Sequence, residues 1–284
     1  VYSPMFRLGT PIVPLMYFLY NLAIVCYAML VAPRVFYGEF RHRKYIGTLA
    51  ERCGRLPAAI NPGRQASIWI HAVSVGEVLA TRALIPALRG RYPGHRLWMS
   101  TTTETGRAVA ARFKAVDGLF YFPLDLPLIV KRVLDQVRPD LFLMVDTELW
   151  PNLLRHCARR GIKTVLVNGR ISDRSYPRYR LVRGFLRRVL AGVDRCCVQS
   201  DETARRLIEL GAMPARVTVT GNLKFDTLPG FVSGTLWRND KVLRAFQIAP
   251  DRKVLIAGST HPGEESFVFD AFTRIRQREP QALL

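Results

Sequence analysis

Polar side chains that could bind or activate a hydroxylated ligand follow four predicted strands. Ser74 and Glu77 follow the first strand, and the others are found at residues 101–104, 146–148 and 168–170. Because the carboxyl ends of parallel strands share one edge of a sheet, where open α/β sheets bind ligands, we expect these side chains to lie close together. Carboxylates beside hydroxyls and amides suit general-base catalysis on a polyhydroxylated substrate, and burial would raise the pKa of such a base toward neutral pH.

Glu77 has two interpretations from its local sequence. It stands in SIWIHAVSVGEV, residues 67–78, which runs from an apolar strand through a small-residue turn into a helix. In that turn Ser74 is a good N-cap type, and Gly76 permits a tight backbone turn. Glu77 is then either a first-turn acid that complements the helix dipole or the base of a site at the strand end.

The remaining polar residues differ in how well a structural role explains them. The threonines at residues 101–103 are explained by helix capping before Glu104. Asp146 and Glu148 are not, since two acids beside an apolar strand contribute little stability. The five histidines and five cysteines show no metal-binding spacing, and His71 is predicted to be a hydrogen-bonded core residue. We therefore expect no metal and no cofactor.

The body of the chain has the alternating pattern needed to position these side chains. Apolar strand-like runs lie at residues 67–73, 96–102, 118–122, 141–145, 163–167, 195–199 and, less clearly, 217–220. Helical patterns lie between them, at residues 77–91, 104–115, 128–137, 151–160, 176–190 and 202–210. This alternation predicts an α/β fold, a Rossmann-like domain with a parallel sheet covered on both faces. The G-x-G-x-x-G and P-loop patterns are absent.

The sequence outside this body completes the predicted domain organisation. We expect a membrane anchor, a basic connector, the Rossmann-like domain, a linker and the start of a second domain, at residues 1–33, 34–65, 66–225, 226–250 and 251–284. The last segment holds a strand pattern at 253–257, a helix pattern from about 262 to 278 and the beginning of another strand. Since a full α/β domain needs ~100 residues or more, we expect the second domain to be truncated after its first βα unit.

The part of the predicted anchor that would cross the membrane is the uncharged segment PIVPLMYFLYNLAIVCYAMLVAP, residues 11–33. It is long enough to span a bilayer, which takes ~20 apolar residues. No small-residue cleavage site follows it, which favours an uncleaved anchor over a signal peptide. Arg7 precedes the segment and five basic residues follow it by residue 52, so the positive-inside rule places the body in the cytoplasm. The alternative is a surface or core helix.

The charge of the chain implies an anionic partner. There are 42 Lys and Arg against 22 Asp and Glu, a formal net charge of +20, which fits nucleic acid, anionic lipid or a phosphorylated substrate. Six arginines interleaved with aromatics and no acid lie at residues 174–188. This pattern indicates a membrane-surface or phosphate-binding helix. The alternative is a solvated helix face that uses Leu181, Phe185 and Leu186 for the core. The odd cysteine count suggests reduced thiols in a cytosolic body.

Five motifs in this order resemble the 3-deoxy-D-manno-octulosonic acid (Kdo) transferases of Gram-negative bacteria. They are SIWIHAVSVGEV at 67–78, DTELWPN at 146–152, NGR at 168–170, GNLKF at 221–225 and GSTHPGE at 258–264. The resemblance covers the whole chain. It implies a GT-B fold, in which two Rossmann-like domains face each other across a cleft. It also implies transfer of Kdo from CMP-Kdo to the phosphorylated lipid A precursor in lipopolysaccharide biosynthesis, with inversion at the anomeric carbon and no metal in the reaction. The resemblance further implies that the protein lies at the inner membrane, with a single-pass N-terminal anchor and a cytoplasmic catalytic body. It implies no nucleic-acid partner.

The resemblance also implies roles for individual residues. Glu77 falls on the family's general base, and Asp146 falls on an acceptor-side position where the family usually has Glu. Further acceptor-binding residues are predicted to be Ser74, Gly76, Glu148, Arg178 and Arg180. The predicted donor-binding residues are Gly258, Ser259, Thr260, His261 and Glu264. The remaining CMP-binding motifs of the family would follow Leu284, so we expect this stretch of chain alone to be inactive.

Two other functions stay open at this point. Another membrane-associated GT-B glycosyltransferase, one that uses a UDP-sugar and a lipid acceptor, would share most of these features. A non-enzymatic module that binds anionic lipid or RNA through its basic surface would explain the charge. It would leave the polar strand ends around Glu77 without a role.

Overall fold

The computed structural model describes residues 12–42, 46–227, 248–249 and 252–284. The chain divides into two compact units, Val1–Pro229 and Gly230–Leu284. Most of the predicted linker, residues 226–250, and the first 11 residues of the predicted anchor lie outside the described residues.

Seven parallel strands form the centre of the first unit, in the order β3-β2-β1-β4-β5-β6-β7. They span Ser67–His71 (β1), Arg96–Thr101 (β2), Gly118–Tyr121 (β3), Leu141–Val145 (β4), Lys163–Gly169 (β5), Arg195–Val198 (β6) and Val217–Val219 (β7). The central strands β1 and β4 are buried along almost their whole length, because helices cover both faces of the sheet. The predicted α/β class is confirmed, and each strand predicted for the Rossmann-like body is present.

Ten helices accompany this sheet within the described part of the first unit. They are α1 (Ile12–His42), α2 (Ile46–Arg52), α3 (Val75–Ala80), α4 (Leu84–Arg91), α5 (Glu104–Ala110), α6 (Pro127–Val137), α7 (Pro151–Arg160), α8 (Tyr176–Leu181), α9 (Arg183–Leu190) and α10 (Asp201–Leu210). Helices α6, α7, α9 and α10 bury their apolar side chains with Trp69 on one face of the sheet. Helices α3, α4 and α5 pack on the opposite face, against Ile68 and Ile70. Alternate residues of β1 therefore enter two different cores.

Two helices that the sequence predicts as continuous are interrupted. The pattern at residues 77–91 forms α3 and α4, and between them the Thr81 hydroxyl donates to the Val78 carbonyl oxygen at 2.7 Å. Such a side-chain bond competes with the helical hydrogen-bond ladder. The pattern at residues 176–190 forms α8 and α9, which meet at Val182 with φ −110° and ψ 21°. The first break has a signal in the sequence, because Pro86 lies in the first turn of α4 and cannot continue a helix from residue 82. The second break falls on Val182, which carries no such signal.

Helix α1 extends beyond the segment predicted as an anchor. It continues through Pro33 to His42, so the predicted boundary between anchor and connector falls inside a helix. Residues 14–31 of α1 are long and apolar enough to cross a membrane by length and composition.

One side of α1 packs against the body of the first unit. The Tyr20 hydroxyl donates to an Asp125 carboxylate oxygen at 2.8 Å, and the Asn152 side-chain amide donates to Asn21 Oδ1 at 2.7 Å. The Tyr17 ring lies under the Arg155 guanidinium, 4.2 Å from it. Tyr17, Tyr20 and Asn21, three of the polar residues that interrupt the apolar segment, are thus its contacts with the protein, whereas Tyr27 is exposed. Exposed apolar side chains elsewhere on α1 include Phe18, Leu19, Met29 and Leu30.

The second unit shows the predicted βα pattern in minimal form. Val254 and Leu283 make a parallel bridge, in which the Leu255 N–H donates to the Leu283 carbonyl oxygen at 2.8 Å. Helix α11, Glu264–Arg278, connects the two. The strand predicted at residues 253–257 is a single bridge, and the helix predicted from about 262 begins at Glu264.

Gly211, which follows α10, provides a test of how closely this end of α10 packs against Arg187 of α9. Gly211 has φ +113°, and a Cβ there would lie 2.6 Å from the Arg187 Cβ and 2.8 Å from its Cα. We expect Gly211→Ala to lower the free energy of unfolding by roughly 2–4 kcal/mol, because left-handed strain and overlap with backbone add. Gly161→Ala is the matched control: its φ is +69° and its Cβ would meet nothing within 4 Å, so about 1 kcal/mol is expected. Equal losses in denaturant unfolding of the two variants would contradict this packing.

Candidate active site

The carboxyl edge of the sheet brings Glu77, Asp146 and Glu148 together. Strands β1 and β4 are neighbours, Glu77 lies in the first turn of α3 after β1, and the other two acids follow β4. Burial raises the pKa of Glu148, and the charges of Glu77 and Asp146 act in the same direction, so that together they bring it to about 7. The acid cluster predicted from the strand ends therefore forms.

The Glu77 carboxylate is held against the turn before α3. Its Oε2 accepts from the Val73 N–H at 2.6 Å, and its Oε1 accepts from the Ser74 hydroxyl at 3.2 Å. This arrangement resembles a capping box, in which an acid at the third helical position bonds back to residues before the helix. Glu77 thus has the local stabilising role that the helix-dipole interpretation expected of it.

The environment also makes Glu77 suitable as a base. Burial raises its pKa, and the Asp146 charge acts in the same direction. The hydrogen bonds from Val73 and Ser74, and the Lys224 ammonium, lower it. A half-buried carboxyl with a raised pKa accepts a proton near neutral pH more readily than an ordinary surface carboxylate. Capping and proton acceptance are therefore compatible in the same side chain.

Two details of the turn before α3 differ from the prediction. Ser74 occupies the N-cap position with φ −130° and ψ 174°, but its side chain accepts no helix N–H, because its hydroxyl donates to Glu77. Gly76 lies inside α3 and is not among the residues with positive φ, so no tight turn requires it. A Cβ at Gly76 would meet no atom within 4 Å, which leaves the surface next to Glu77 open.

Asp146 and Asn168 adopt a strained conformation at the same edge of the sheet. Their φ angles are +58° and +59°, and the Asn168 side-chain amide donates to Asp146 Oδ1 at 2.7 Å. Asn and Asp tolerate the left-handed region better than other side chains, but still at a cost of order 1–2 kcal/mol. Beside them, the Thr147 hydroxyl accepts from the Arg170 N–H at 3.0 Å. Strain of this kind is concentrated at functional sites.

Helix α8 borders the acid cluster. Burial raises the pKa of the Tyr179 hydroxyl, and the nearby Glu148 charge raises it further. The predicted acceptor residues Arg178 and Arg180 are exposed on this helix. Across the described part of the chain neither makes an ion pair, although the Arg180 guanidinium lies 6.0 Å from the Tyr176 ring. Both are available to an anionic ligand.

The alternative interpretation of the basic segment as an ordinary helix face is partly wrong. Leu186 is buried and Phe185 packs 5.3 Å from the Tyr17 ring of α1, as that interpretation expected of core residues. Leu181, however, is 87% exposed, because α8 ends there and the chain turns at Val182. The segment therefore presents an apolar side chain to solvent among its arginines.

The threonine and histidine predictions are largely confirmed. Thr103 is the N-cap of α5 and accepts from the Gly106 N–H at 3.1 Å. His71 is fully buried, stacks 3.8 Å from the Phe122 ring and has Nδ1 within 3.0 Å of the Ser100 hydroxyl. Burial lowers its pKa to about 3, so the ring is neutral. Its Nε2 has no hydrogen-bond partner in the described ranges, so the core role is right but only half of the ring is hydrogen-bonded.

The predicted donor residues lie in the second unit, before and at the start of α11. Gly258, Ser259, Thr260, His261 and Glu264 are all exposed. The His261 N–H donates to Glu264 Oε2 at 2.9 Å, a local cap of the helix. Ser259 has φ +58°. Their role in donor binding stays a prediction.

The structure adds two residues that were not predicted as functional. Lys224, exposed in the turn after β7, lies close enough for its charge to lower the pKa of Glu77. The only feature of the sequence that indicated Lys224 was the motif GNLKF, which contains it. Asp125, in the loop between β3 and α6, accepts from Tyr20 and from two backbone N–H groups of α7. Nothing local in the sequence marks it.

Comparisons with known proteins agree on one family. Residues 47–227 match the family model described as 3-deoxy-D-manno-octulosonic-acid transferase (kdotransferase). The chain is 32% identical over 279 residues to the 3-deoxy-D-manno-octulosonic acid transferase of Haemophilus influenzae, covering 94% of this chain and 62% of that protein. It is 36% identical over 227 residues to the enzyme of that name from Bordetella pertussis, covering 78% of this chain and 50% of the relative. The chain thus spans between half and two thirds of these relatives.

A solved structure supports the fold. A Listeria monocytogenes protein assigned as a UDP-N-acetylglucosamine 2-epimerase superposes with a TM-score of 0.51 at 15% sequence identity, covering 77% of this chain and 61% of that one. At this identity the likeness concerns architecture alone.

Proposed function

Because the chain belongs to the 3-deoxy-D-manno-octulosonic acid (Kdo) transferase family, we propose that it transfers Kdo from CMP-Kdo to the phosphorylated precursor of lipid A. The observation that carries the proposal is the family match over residues 47–227, whose matched part contains the half-buried Glu77 carboxylate at the carboxyl edge of the sheet. Neighbouring Asp146 and Glu148 support a site for a hydroxylated acceptor at this edge.

In the proposed reaction Glu77 is the general base. Its carboxylate takes the proton of an acceptor hydroxyl, whose oxygen forms a bond to the anomeric carbon of Kdo. The bond from that carbon to the phosphate oxygen breaks on the opposite face, so CMP leaves with the electron pair and the configuration inverts. The raised pKa of Glu77 supports this role, since a base works best when its pKa lies near the working pH.

The placement at the membrane is part of the same proposal. Helix α1 has one side against the body, at Tyr17, Tyr20 and Asn21, and exposed apolar side chains elsewhere. We place those apolar side chains in the inner membrane and the body on its cytoplasmic side. The exposed arginines of α8 and α9 then face anionic headgroups or acceptor phosphates.

The test is a transfer assay with full-length protein. CMP-Kdo and phosphorylated lipid A precursor in mixed micelles are expected to give release of CMP and a lipid whose mass has increased by Kdo. UDP-sugars offered in place of CMP-Kdo are expected to give no transfer. Release of UDP with no release of CMP would establish the UDP-sugar alternative, and no transfer from any donor would support a binding module.

Charge reversal on α8 separates acceptor binding from structure. We expect Arg178→Glu with Arg180→Glu to raise the KM for the phosphorylated acceptor at least ~30-fold with little change in kcat, since each lost basic side chain contributed about 1 kcal/mol and the new carboxylates repel the acceptor phosphates. The control is Arg112→Glu with Lys114→Glu, an equal charge change at exposed residues after α5. A KM that rises equally in both double variants would mean that net charge, and not α8, determines acceptor binding.

A further inference from the structure

Asn168 links two of the motifs at the sheet edge to each other. Its side-chain amide donates to Asp146 Oδ1 at 2.7 Å, and its Oδ1 accepts from the Leu223 N–H at 3.0 Å. Its carbonyl oxygen accepts from the Gln199 side chain at 3.0 Å. Asn168 is 1% exposed and has φ +59°. Its hydrogen bonds thus join the end of β4, the end of β6 and the turn after β7.

The turn after β7 is held by one of these bonds. It begins at Gly221, which has φ +82°, and the Asn222 side chain accepts from the Lys224 N–H at 3.0 Å. The Leu223 N–H is the backbone group that bonds to Asn168, and Lys224 follows it directly. Fixing Leu223 therefore fixes the point from which the Lys224 side chain extends.

The position of Lys224 matters because its charge acts on the Glu77 carboxyl. Asp146 lies on the β4 side of Glu77, and Glu148, two residues further, also interacts with it. Lys224 is the cation whose charge opposes that of Asp146 at the Glu77 carboxyl. Displacement of the turn would leave burial and the Asp146 charge opposed only by the hydrogen bonds from Val73 and Ser74.

We propose that Asn168 is a positioning residue for the transfer reaction: its side chain ties the turn after β7 to the end of β4 and so keeps the Lys224 ammonium within electrostatic range of the Glu77 carboxylate. Only the kinetic consequence of this inference rests on the proposed function. The arrangement itself has readouts that need no substrate.

The experiment compares Asn168→Gly, Lys224→Met and the double variant in full-length protein. Glycine tolerates the left-handed φ, so Asn168→Gly removes the side chain without adding strain. Hydrogen exchange of the Leu223 amide is expected to become at least ~10-fold faster, because its acceptor is lost. The Glu77 pKa, followed by carboxyl NMR, is expected to rise by roughly 0.2–0.5 in either single variant, since the exposed Lys224 ammonium is the weakest of the influences on it. The double variant is expected to show no more than Lys224→Met, since the two changes act through one interaction.

The same shift is expected in catalysis. The acidic limb of the pH profile of kcat/KM should move to higher pH by the amount that the Glu77 pKa rises, because the base is then protonated over a wider range. If the wild-type protein transfers no Kdo, the proposed function fails, while the exchange and NMR measurements still decide the positioning role.

Asn61→Gly is the matched control. Asn61 is also buried, has φ +47° and donates to the Val137 and Gln65 carbonyl oxygens at 2.8 and 3.0 Å, but it precedes β1 at the opposite edge of the sheet. Its replacement is expected to cost stability and leave the Glu77 pKa unchanged. An unchanged Glu77 pKa in Lys224→Met, an exposed position where folding is not at risk, would overturn the proposal. So would additive shifts in the double variant or unchanged Leu223 exchange in Asn168→Gly.

Discussion

Glu77→Gln in the full-length protein is expected to lower kcat by about 10²–10⁴-fold, the usual contribution of a positioned general base. Glutamine has nearly the same shape and keeps an oxygen that can accept from the Val73 N–H, the shorter of the two bonds to Glu77 at 2.6 Å. The start of α3 should therefore stay folded while the proton acceptor is lost. The measurement is single-turnover transfer from CMP-Kdo, with the unfolding midpoint recorded on the same preparation.

Ser74→Ala separates the capping role of Glu77 from its role as a base. This change removes the 3.2 Å bond between the Ser74 hydroxyl and Glu77 Oε1 and leaves the carboxylate in place. We expect a loss of roughly 0.5–1.5 kcal/mol in stability and a fall in kcat far smaller than that of Glu77→Gln. A folded Glu77→Gln variant with near-normal turnover would show that the acid only caps α3.

The strands of the first unit could be predicted from sequence because their burial leaves a direct mark. β1 and β4 are covered on both faces, so they are continuous apolar runs rather than alternating ones. Their parallel pairing in turn places Glu77 and Asp146 at one edge, which is why the acid cluster could also be predicted. The break before α4 could have been predicted, because Pro86 in the first turn of α4 cannot continue a helix from residue 82. The break at Val182 could not, because that residue carries no glycine or proline signal.

The parts of the site that the sequence did not predict depend on contacts between distant residues. Asn168 belongs to the NGR motif, but its bonds to Asp146 and Leu223 join residues that are 22 and 55 positions away. No local pattern specifies such a bond, because it depends on the order of strands in the sheet. The left-handed φ of Asp146 was equally invisible, since Asp is common in ordinary backbone conformations.

Asp125→Ala is expected to cost about 4 kcal/mol in the free energy of unfolding, the largest stability loss that we predict. Asp125 is 2% exposed and accepts from the Asn152 N–H at 2.9 Å, the Leu153 N–H at 2.8 Å and the Tyr20 hydroxyl at 2.8 Å. It thus caps α7 from a distant loop, since Trp150 at the N-cap position makes no capping bond with its side chain. Alanine leaves these buried donors unpaired, at roughly 1–3 kcal/mol each.

Tyr20→Phe isolates the part of this network that holds α1. It removes the hydroxyl bond to Asp125 but leaves both bonds to α7, so we expect a loss of roughly 1.5–3 kcal/mol and faster proteolysis between α1 and the body. Asp173→Ala is the control: its side chain is 94% exposed and pairs with Arg206, so at most ~1 kcal/mol is expected. Similar losses for Asp125→Ala and Asp173→Ala would mean that the buried network contributes no more than a surface ion pair.

The pH dependence of stability gives the Asp125 prediction a second, independent signature. Burial raises the pKa of Asp125 to about 6, against the hydrogen bonds that lower it, whereas an unfolded chain has an Asp pKa near ~3.9. Between these values the folded protein binds more protons than the unfolded chain, so this group's contribution to stability increases as pH falls from about 6 to about 4. Asp125→Asn is expected to abolish that increase. At neutral pH Asp125 is therefore ionised at a cost in stability, because burial disfavours the charged form. Its two carboxylate oxygens accept from three donors, whereas the single oxygen of an amide could accept from fewer.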